Sequence, residues 1–357
     1  MRKNCEEVAI LSHNALIAMS GGVDSSVAAW LTQQAGYNCI GATMRLLKTE
    51  NSDASDARAV AQRLGMPFHL LDFSREFAAS VMDDFVRCYE WGLTPNPCIV
   101  CNRHLKFGYL LEAALELGCD CIVTGHYARI TEENGRFLLK KAADTAKDQS
   151  YFLYSLNQRQ LSHTRFPLGE LTKEEARKIA EEQGFINARK RDSQDICFIP
   201  DGDYFAFLKQ YTGKDYPAGD FLDMDGKVVG RHQGAVAYTR GQRKGLGLAM
   251  GHPVYVCGKD MEKNTVTVGE NEALFSTSLL ADDWNFFPFD TLNAPLRCHA
   301  KARSRMIEQP ATVYPEGNGV CRVVFDEPQR ALTTGQAVVL YDGDTVIGGG
   351  TIRELLP

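Results

Sequence analysis

The chain has 357 residues, 44% of them hydrophobic and 24% charged, with a formal net charge of −6. That length predicts two or three domains, and the composition is that of a soluble globular protein, which excludes disordered and fibrous classes. An acidic balance also excludes a globally basic nucleic-acid binder, so any such contact must come from local patches.

The N-terminus, MRKNCEEVAILSHNALIAMS, reads as a tail and a first strand and not as a signal peptide, because acidic residues interrupt a short apolar run. No apolar run approaches the roughly 20 residues of a membrane span, so a cytoplasmic protein with no membrane partner is expected. Strands are predicted at ALIAM (15–19), NCIGATM (38–44), FHLLDF (68–73) and DCIVTGHYA (120–128). Helices are predicted between them: SVAAWLTQQAG (26–36), ASDARAVAQRLG (54–65) after an Asn-Ser-Asp turn, LKFGYLLEAALELG (105–118) and later EEARKIAEEQG (174–184). Apolar strands alternating with amphipathic helices predict an α/β fold with a doubly wound parallel sheet. After about residue 205, short β-rich pieces punctuated by glycine and Asp-Gly turns predict two small antiparallel units, the last barrel-like. The expected domains are 1–205, 206–275 and 276–357.

The string SGGVDSS, Ser20 to Ser26, follows the first strand directly. Adjacent glycines let backbone N–H groups approach a ligand, serines add hydroxyls, and a helix N-terminus adds its dipole, which together make an anion cradle. It is not a Walker loop, since no Gly-Lys-Ser/Thr follows. A plain turn with Asp24 or Ser25 capping the helix is the alternative.

Eleven cysteines, an odd number in a chain with no export signal, argue against a disulfide framework, and most should be buried thiols. TPNPCIVCNRHLKFG (94–108) places a Cys-x-x-Cys just before a predicted helix, where the helix N-terminus, Arg103 and His104 would lower a thiol pKa at Cys98 or Cys101. Cys197 lies on a loop in RDSQDICFIP (191–200). The thiols are otherwise structural, or Cys98, Cys101, His104 and Cys197 form a tetrahedral zinc set.

SGGVDSS resembles the signature of the PP-loop ATP pyrophosphatases, of HUP-like fold, which cleave ATP to AMP and pyrophosphate. That likeness implies ATP with Mg²⁺ as cofactors, bound by Ala18, Met19, Ser20, Gly21, Gly22, Val23, Asp24 and Ser25, with Met44 and Gly125 at strand ends near the adenosine. Met44 has core packing as its plain alternative. With NPCIVCNRHLKFG, TGHYAR, KDQSYFL, DSQDICFIP, GQRKGLGL and TTGQAVVLYDG in this order, the chain is similar nearly throughout to the tRNA-specific 2-thiouridylase family.

The resemblance implies 2-thiolation of the wobble uridine of tRNA for Lys, Glu and Gln, by adenylation of the C2 oxygen and attack by sulfur. It implies Cys197 as the persulfide carrier, Cys101 as the partner thiol that forms a disulfide with it, and Asp24 as organiser of magnesium and phosphates. Asn96, Pro97 and Cys98 would sit beside the target base, and a cysteine desulfurase or relay protein would supply sulfur. Some relatives carry aspartate where this chain has Cys98; Cys98, Cys101 and Cys197 are then alternative ligands for a [4Fe-4S] cluster.

An anticodon base must be unstacked for such chemistry. Lys147, Asp148 and Gln149 beside aromatics suit RNA contact, with a surface turn as the alternative, and His126 at a strand end is a further RNA candidate. The basic stretches RHQGAVAYTRGQRKG (231–245) and KARSR (301–305), with Arg303 and Ser304, are expected to grip tRNA, and Gln336 to help read the wobble region. Two rival readings share parts of this pattern. A PP-loop amidating or ligating synthetase would need neither Cys101 nor Cys197, and a zinc-stabilised RNA-binding protein would turn over no ATP.

Overall fold

The computed structural model describes residues 13–48, 54–190 and 196–356. The Asn-Ser-Asp turn, Cys5 and residues 191–195 of the RDSQDICFIP motif lie outside them.

Strands β1 (Asn14–Ala18), β2 (Asn38–Arg45), β3 (Phe68–Asp72) and β4 (Cys121–Val123) belong to the first sheet. Ala15, Leu16 and Ile17 of β1 are wholly buried, as a strand covered on both faces requires. A hairpin, β5 (Ala128–Glu133) and β6 (Arg136–Lys141), follows, and β7 (Thr164–Arg165) completes the sheet. The parallel order is β3-β2-β1-β4-β7. The winding reverses between β1 and β4, and open α/β sheets bind ligands beyond the strand ends at such a reversal.

Helix α1 (Val23–Gln34) packs Val27, Ala28 and Ala29 onto the sheet, and α2 (Ser55–Arg63) adds Ala57, Val60 and Ala61. Two longer helical runs each contain a π-helical stretch. The first, α3 (74–90), joins Ser74–Phe77, the π-helical Ala78–Met82 and Asp83–Glu90. The second, α4 (97–116), joins Pro97–Cys101, the π-helical Asn102–Tyr109 and Leu110–Glu116. Capping boxes start α5 (Gln158–Ser162), from Asn157 and Gln160, and α6 (Lys173–Glu182), from Thr172 and Glu175. Helix α7 (Tyr204–Thr212) starts at the Asp203 cap and stops at Gly213, which takes φ +66°.

The second sheet holds β8 (Gly219–Leu222), β9 (Val228–His232), β10 (Tyr255–Asp260) and β11 (Thr265–Gly269) in the order β10-β11-β8-β9. The third contains β12 (Phe275–Phe286), β13 (Leu296–Lys301), β14 (Gln309–Gly317), β15 (Val320–Arg330), β16 (Ala337–Asp342) and β17 (Thr345–Leu356). Pairing of β12 with both β15 and β17 closes these six strands into a barrel, which removes the sheet's free edges. The β5–β6 hairpin is added to this barrel sheet through Lys140 opposite Thr345. One apolar cluster accordingly runs from Leu16, Phe107 and Ile122 through Leu139 and Tyr151 to Val339 and Tyr341.

The fold class expected from the sequence is present, with local corrections. Helix α1 starts three residues before its expected first residue. Helix α4 starts at Pro97 and not at 105, so the Cys-x-x-Cys lies inside the helix; proline is favoured at a first helical position because it has no N–H to lose. Strand β4 ends at Val123, and 124–127 form a loop that carries Gly125 and His126 into the ligand crevice. Helix α7 stands where the β-rich region was expected to begin. No helix among the described residues is long and apolar enough to cross a membrane.

Candidate active site

The loop after β1 leaves Gly21 at φ +73°, a conformation that glycine alone adopts cheaply. Helix α1 is capped by Gly22 with no side-chain hydrogen bond, so neither Asp24 nor Ser25 serves as the cap and the first-turn amides keep donors for an anion. The serines brace the loop from within. Ser25 Oγ donates to Gly22 O (3.1 Å) and accepts from Ser20 N (3.2 Å), while Ser26 Oγ donates to Gly22 O (3.0 Å). From a later segment, the buried Asn187 donates through Nδ2 to Gly21 O (3.1 Å) and Ser26 Oγ (2.9 Å).

Asp24 is not idle. Lys173, buried at the start of α6, donates to both its carboxylate oxygens at 2.8 Å, and Tyr127 Oη donates to Oδ1 at 2.9 Å. Gly125 passes so close to α1 that a Cβ there would stand 2.7 Å from Asp24 C and 2.8 Å from Ser25 N.

A cavity of about 400 Å³ opens over these strand ends, lined by Ala18, Met19, Ser20, Met44, Gly125 and His126 among others. A second of about 630 Å³ is lined by Ser20, Gly22, Val23 and Asp24 on one side and by Pro97, Cys98, Cys101 and Cys197 on the other. The two adjoin, sharing Ser20, Asp24, Leu46, Lys106 and Gln149. The anion loop and the three cysteines thus open onto one continuous space.

Burial pushes all three thiols up, Cys197 to about 11 with the neighbouring Cys101 and Cys98 adding to it. This corrects the expectation of a lowered thiol. Lys106 alone opposes the shift at all three, while Arg103 pairs with Asp283 (Nη1 to Oδ2, 2.5 Å) and faces away. His104 is shifted down by burial and by Arg103, and its other charged neighbours are Asp84 and Asp283, so the expected zinc set of Cys98, Cys101, His104 and Cys197 is not assembled. Cys101 and Cys197 are free thiols. No group of three or more His, Cys, Asp or Glu side chains among the described residues is arranged to hold a metal.

His126 is buried and held neutral, its pKa pushed well down by burial and by Lys106. Thr124 Oγ1 lies 2.7 Å from its Nδ1. Several expected RNA contacts are engaged inside the protein. Asp148 accepts from Ala142 N, Ser150 N and Ser150 Oγ, which makes it a turn-holding residue. Gln149 Oε1 accepts from Tyr127 N (2.9 Å) yet still lines both cavities, and Lys147 lines the thiol cavity. Arg303 Nη2 donates to Ala331 O and to Thr333 Oγ1 (2.8 Å), so its guanidinium is turned into the barrel. Ser304 lines a separate surface cavity with Lys301 and Arg305. Gln336 Nε2 donates to Thr94 O (2.9 Å) and Pro95 O (3.1 Å), which holds a barrel loop against the Asn96–Pro97 turn.

Lys106, Lys173, Asn187 and Tyr127 escape a reading of the sequence. Lys106 sits in the quoted NRHLKFG, but ordinary helical spacing puts it on the wrong face. Tyr127 sits in the quoted TGHYAR, and Lys173 and Asn187 reach the loop from later segments with no local signal.

A doubly wound sheet with a glycine-serine anion loop at its switch point and thiols across the same crevice defines a PP-loop nucleotide-binding protein of the HUP class. Family models match in the same order: the tRNA methyl transferase HUP domain at residues 13–201, the tRNA methyl transferase PRC-barrel domain at 205–270 and the Aminomethyltransferase beta-barrel domain at 276–352. The chain is 46% identical over 359 residues to the tRNA-specific 2-thiouridylase MnmA of Clostridioides difficile (strain 630), covering 97% of this chain and 99% of that protein. It is 47% identical over 359 residues to the protein of the same name from Symbiobacterium thermophilum, covering 96% and 92%. The chain belongs to the tRNA-specific 2-thiouridylase family, and by that membership it is a sulfurtransferase acting on tRNA uridine. A solved tRNA thiolase, NcsA from Methanococcus maripaludis with its [4Fe-4S] cluster, is similar at 17% identity and TM-score 0.36 over 56% of this chain and 66% of that one, too distant to bear on the sulfur route here.

Proposed function

We propose that the chain uses ATP and Mg²⁺ to adenylate the C2 oxygen of the wobble uridine in tRNA for Lys, Glu and Gln, and then replaces that oxygen with sulfur. The observation that carries this reading is the adjoining pair of cavities, one floored by the SGGVDSS loop and the other walled by Cys98, Cys101 and Cys197. The uridine oxygen is a poor leaving group until it is bound to phosphorus. Its attack on the α-phosphorus expels pyrophosphate, which the uncapped start of α1 suits. Asp24, which Lys173 and Tyr127 hold in the crevice, is the carboxylate that would meet the Mg²⁺ accompanying the nucleotide.

Cys197 carries a terminal sulfur delivered by a cysteine desulfurase or relay protein. Burial keeps the bare Cys197 thiol neutral near pH 7, whereas a terminal persulfide sulfur is more acidic and is the better nucleophile. Its attack forms a C2–S bond, and the C2–O bond breaks with its electron pair leaving on AMP. The Cys101 thiolate then attacks Cys197 Sγ, the S–S bond breaks, and 2-thiouridine leaves with a Cys101–Cys197 disulfide behind it. A thiol reductant resets the enzyme.

The test is nucleoside mass spectrometry on unmodified tRNA incubated with anaerobically purified protein, ATP, Mg²⁺, a cysteine desulfurase with cysteine as persulfide donor and a thiol reductant. A 2-thiouridine peak that requires ATP and yields AMP, not ADP, is expected. C101A and C197A should each abolish that peak, and wild-type turnover by either variant overturns its assignment. AMP release driven by a small metabolite, with no thiolated nucleoside, would favour the synthetase reading.

A further inference from the structure

Lys106 is half-buried and lines both cavities, so its side chain stands where the nucleotide space meets the thiol space. Its position depends on an irregularity of the helix. In a regular α-helix a residue five after Cys101 lies about 140° round the axis, on the far face. The stretch Asn102–Tyr109 is π-helical, with i→i+5 hydrogen bonding, and this wider turn brings Cys101 and Lys106 to one side.

The ammonium has one polar neighbour among the described residues, Nε2 of His126 at 3.5 Å. Lysine can only donate, so Nε2 accepts and the imidazole proton sits on Nδ1, facing Thr124 Oγ1. The other lysines with a described partner in this wall are already neutralised: Lys173 by Asp24 and Lys190 by Asp56 at 2.7 Å. Lys106 makes no ion pair among the described residues, and its charge reaches Cys98, Cys101 and Cys197 alike. A fixed, unpaired cation in a partly desolvated site acts strongly on any anion formed there.

We infer that Lys106 is a catalytic residue of sulfur transfer, the fixed cation beside which negative charge passes from the attacking sulfur to the departing AMP. This rests on the thiolation reading above. As the C2–S bond forms and the C2–O bond breaks, the charge moves from the thiol cavity to the nucleotide cavity, and Lys106 faces both. His126, neutral and aimed by Thr124, holds the ammonium without competing for the anion.

The test compares wild type, K106M and K106R as full chains on the same tRNA with ATP, Mg²⁺, a cysteine desulfurase with cysteine as persulfide donor and a thiol reductant, counting first-turnover pyrophosphate and 2-thiouridine from each tube. Losing one preorganised charge contact costs about 100-fold in the step it serves. In K106M, the rate of 2-thiouridine formation should fall by about that factor while first-turnover pyrophosphate release falls much less, so the pyrophosphate-to-thiouridine ratio rises at least about tenfold. K106R should restore most of the coupling because it restores charge. Equal losses of pyrophosphate and 2-thiouridine would make Lys106 a nucleotide-binding group and overturn the inference, as would an unchanged K106M or an Arg variant no better than Met. Wild type that makes no 2-thiouridine would refute the thiolation reading itself. If K106M does not fold, by its melting curve, K106Q takes its place with the same outcomes.

Discussion

Arg303 lies in KARSR, which on charge alone suits an RNA backbone, yet it is a barrel residue. Its Nη2 bonds two acceptors, Ala331 O and Thr333 Oγ1, and burial works against its charge. Arg303→Glu would set a carboxylate against those acceptors, so its first effect should be on stability, a loss of about 2–4 kcal/mol seen as a lower melting temperature. A variant that melts like wild type but binds tRNA more weakly would return Arg303 to the RNA surface. Arg305, exposed two residues on, is the cleaner probe of barrel charge. Cys101 and Cys197 were legible at this scale because their motifs are short and chemically distinctive. Lys106 was not, because which face it occupies depends on the pitch of its helix.

Among the elements, the best-read are β1, α1, β2, α2 and β3, in which short apolar runs alternate with helices that stop at Gly36 and Gly65. Helix α3 was not among the expected helices, although it carries an equally plain buried stripe of Phe77, Val81, Phe85, Val86 and Tyr89. The π-helical stretches have no such signature, because their hydrogen bonding is set by what packs around them. The loop after β4 shows how one element end positions another. Gly125 has no room for a methyl against the backbone of Asp24 and Ser25, so Gly125→Ala must push the start of α1 away. A displacement of that kind costs about 100-fold when it misaligns reacting groups. ATP-dependent AMP formation by G125A should fall by that order while its melting temperature stays near wild type; unimpaired AMP formation would show that the crevice tolerates the shift.

Across the whole molecule, the catalytic sheet and the barrel are interlocked. The β5–β6 hairpin extends the barrel sheet, Arg103 pairs with Asp283, Gln336 bonds Thr94 and Pro95, and one apolar cluster spans both. The three-part order was readable from composition, but this interlock was not, since it joins residues some two hundred positions apart. Unfolding of the catalytic and barrel parts should therefore be a single cooperative step. Single-tryptophan variants retaining Trp30 in the catalytic core or Trp284 in the barrel should report the same urea midpoint, and two separated midpoints would mean the barrel folds alone.

The hairpin's pairing also imposes an order on the protein's birth. Lys140 leaves the ribosome long before its partner Thr345 has been made. At about 5–20 residues per second, the roughly 200 intervening residues take about 10–40 s to synthesise. Throughout that interval the faces of Leu139 and Tyr151 that will meet Val339 and Tyr341 have no cover. Until the last two strands emerge, the catalytic half therefore carries uncovered apolar surface of the kind that draws chaperones and invites aggregation.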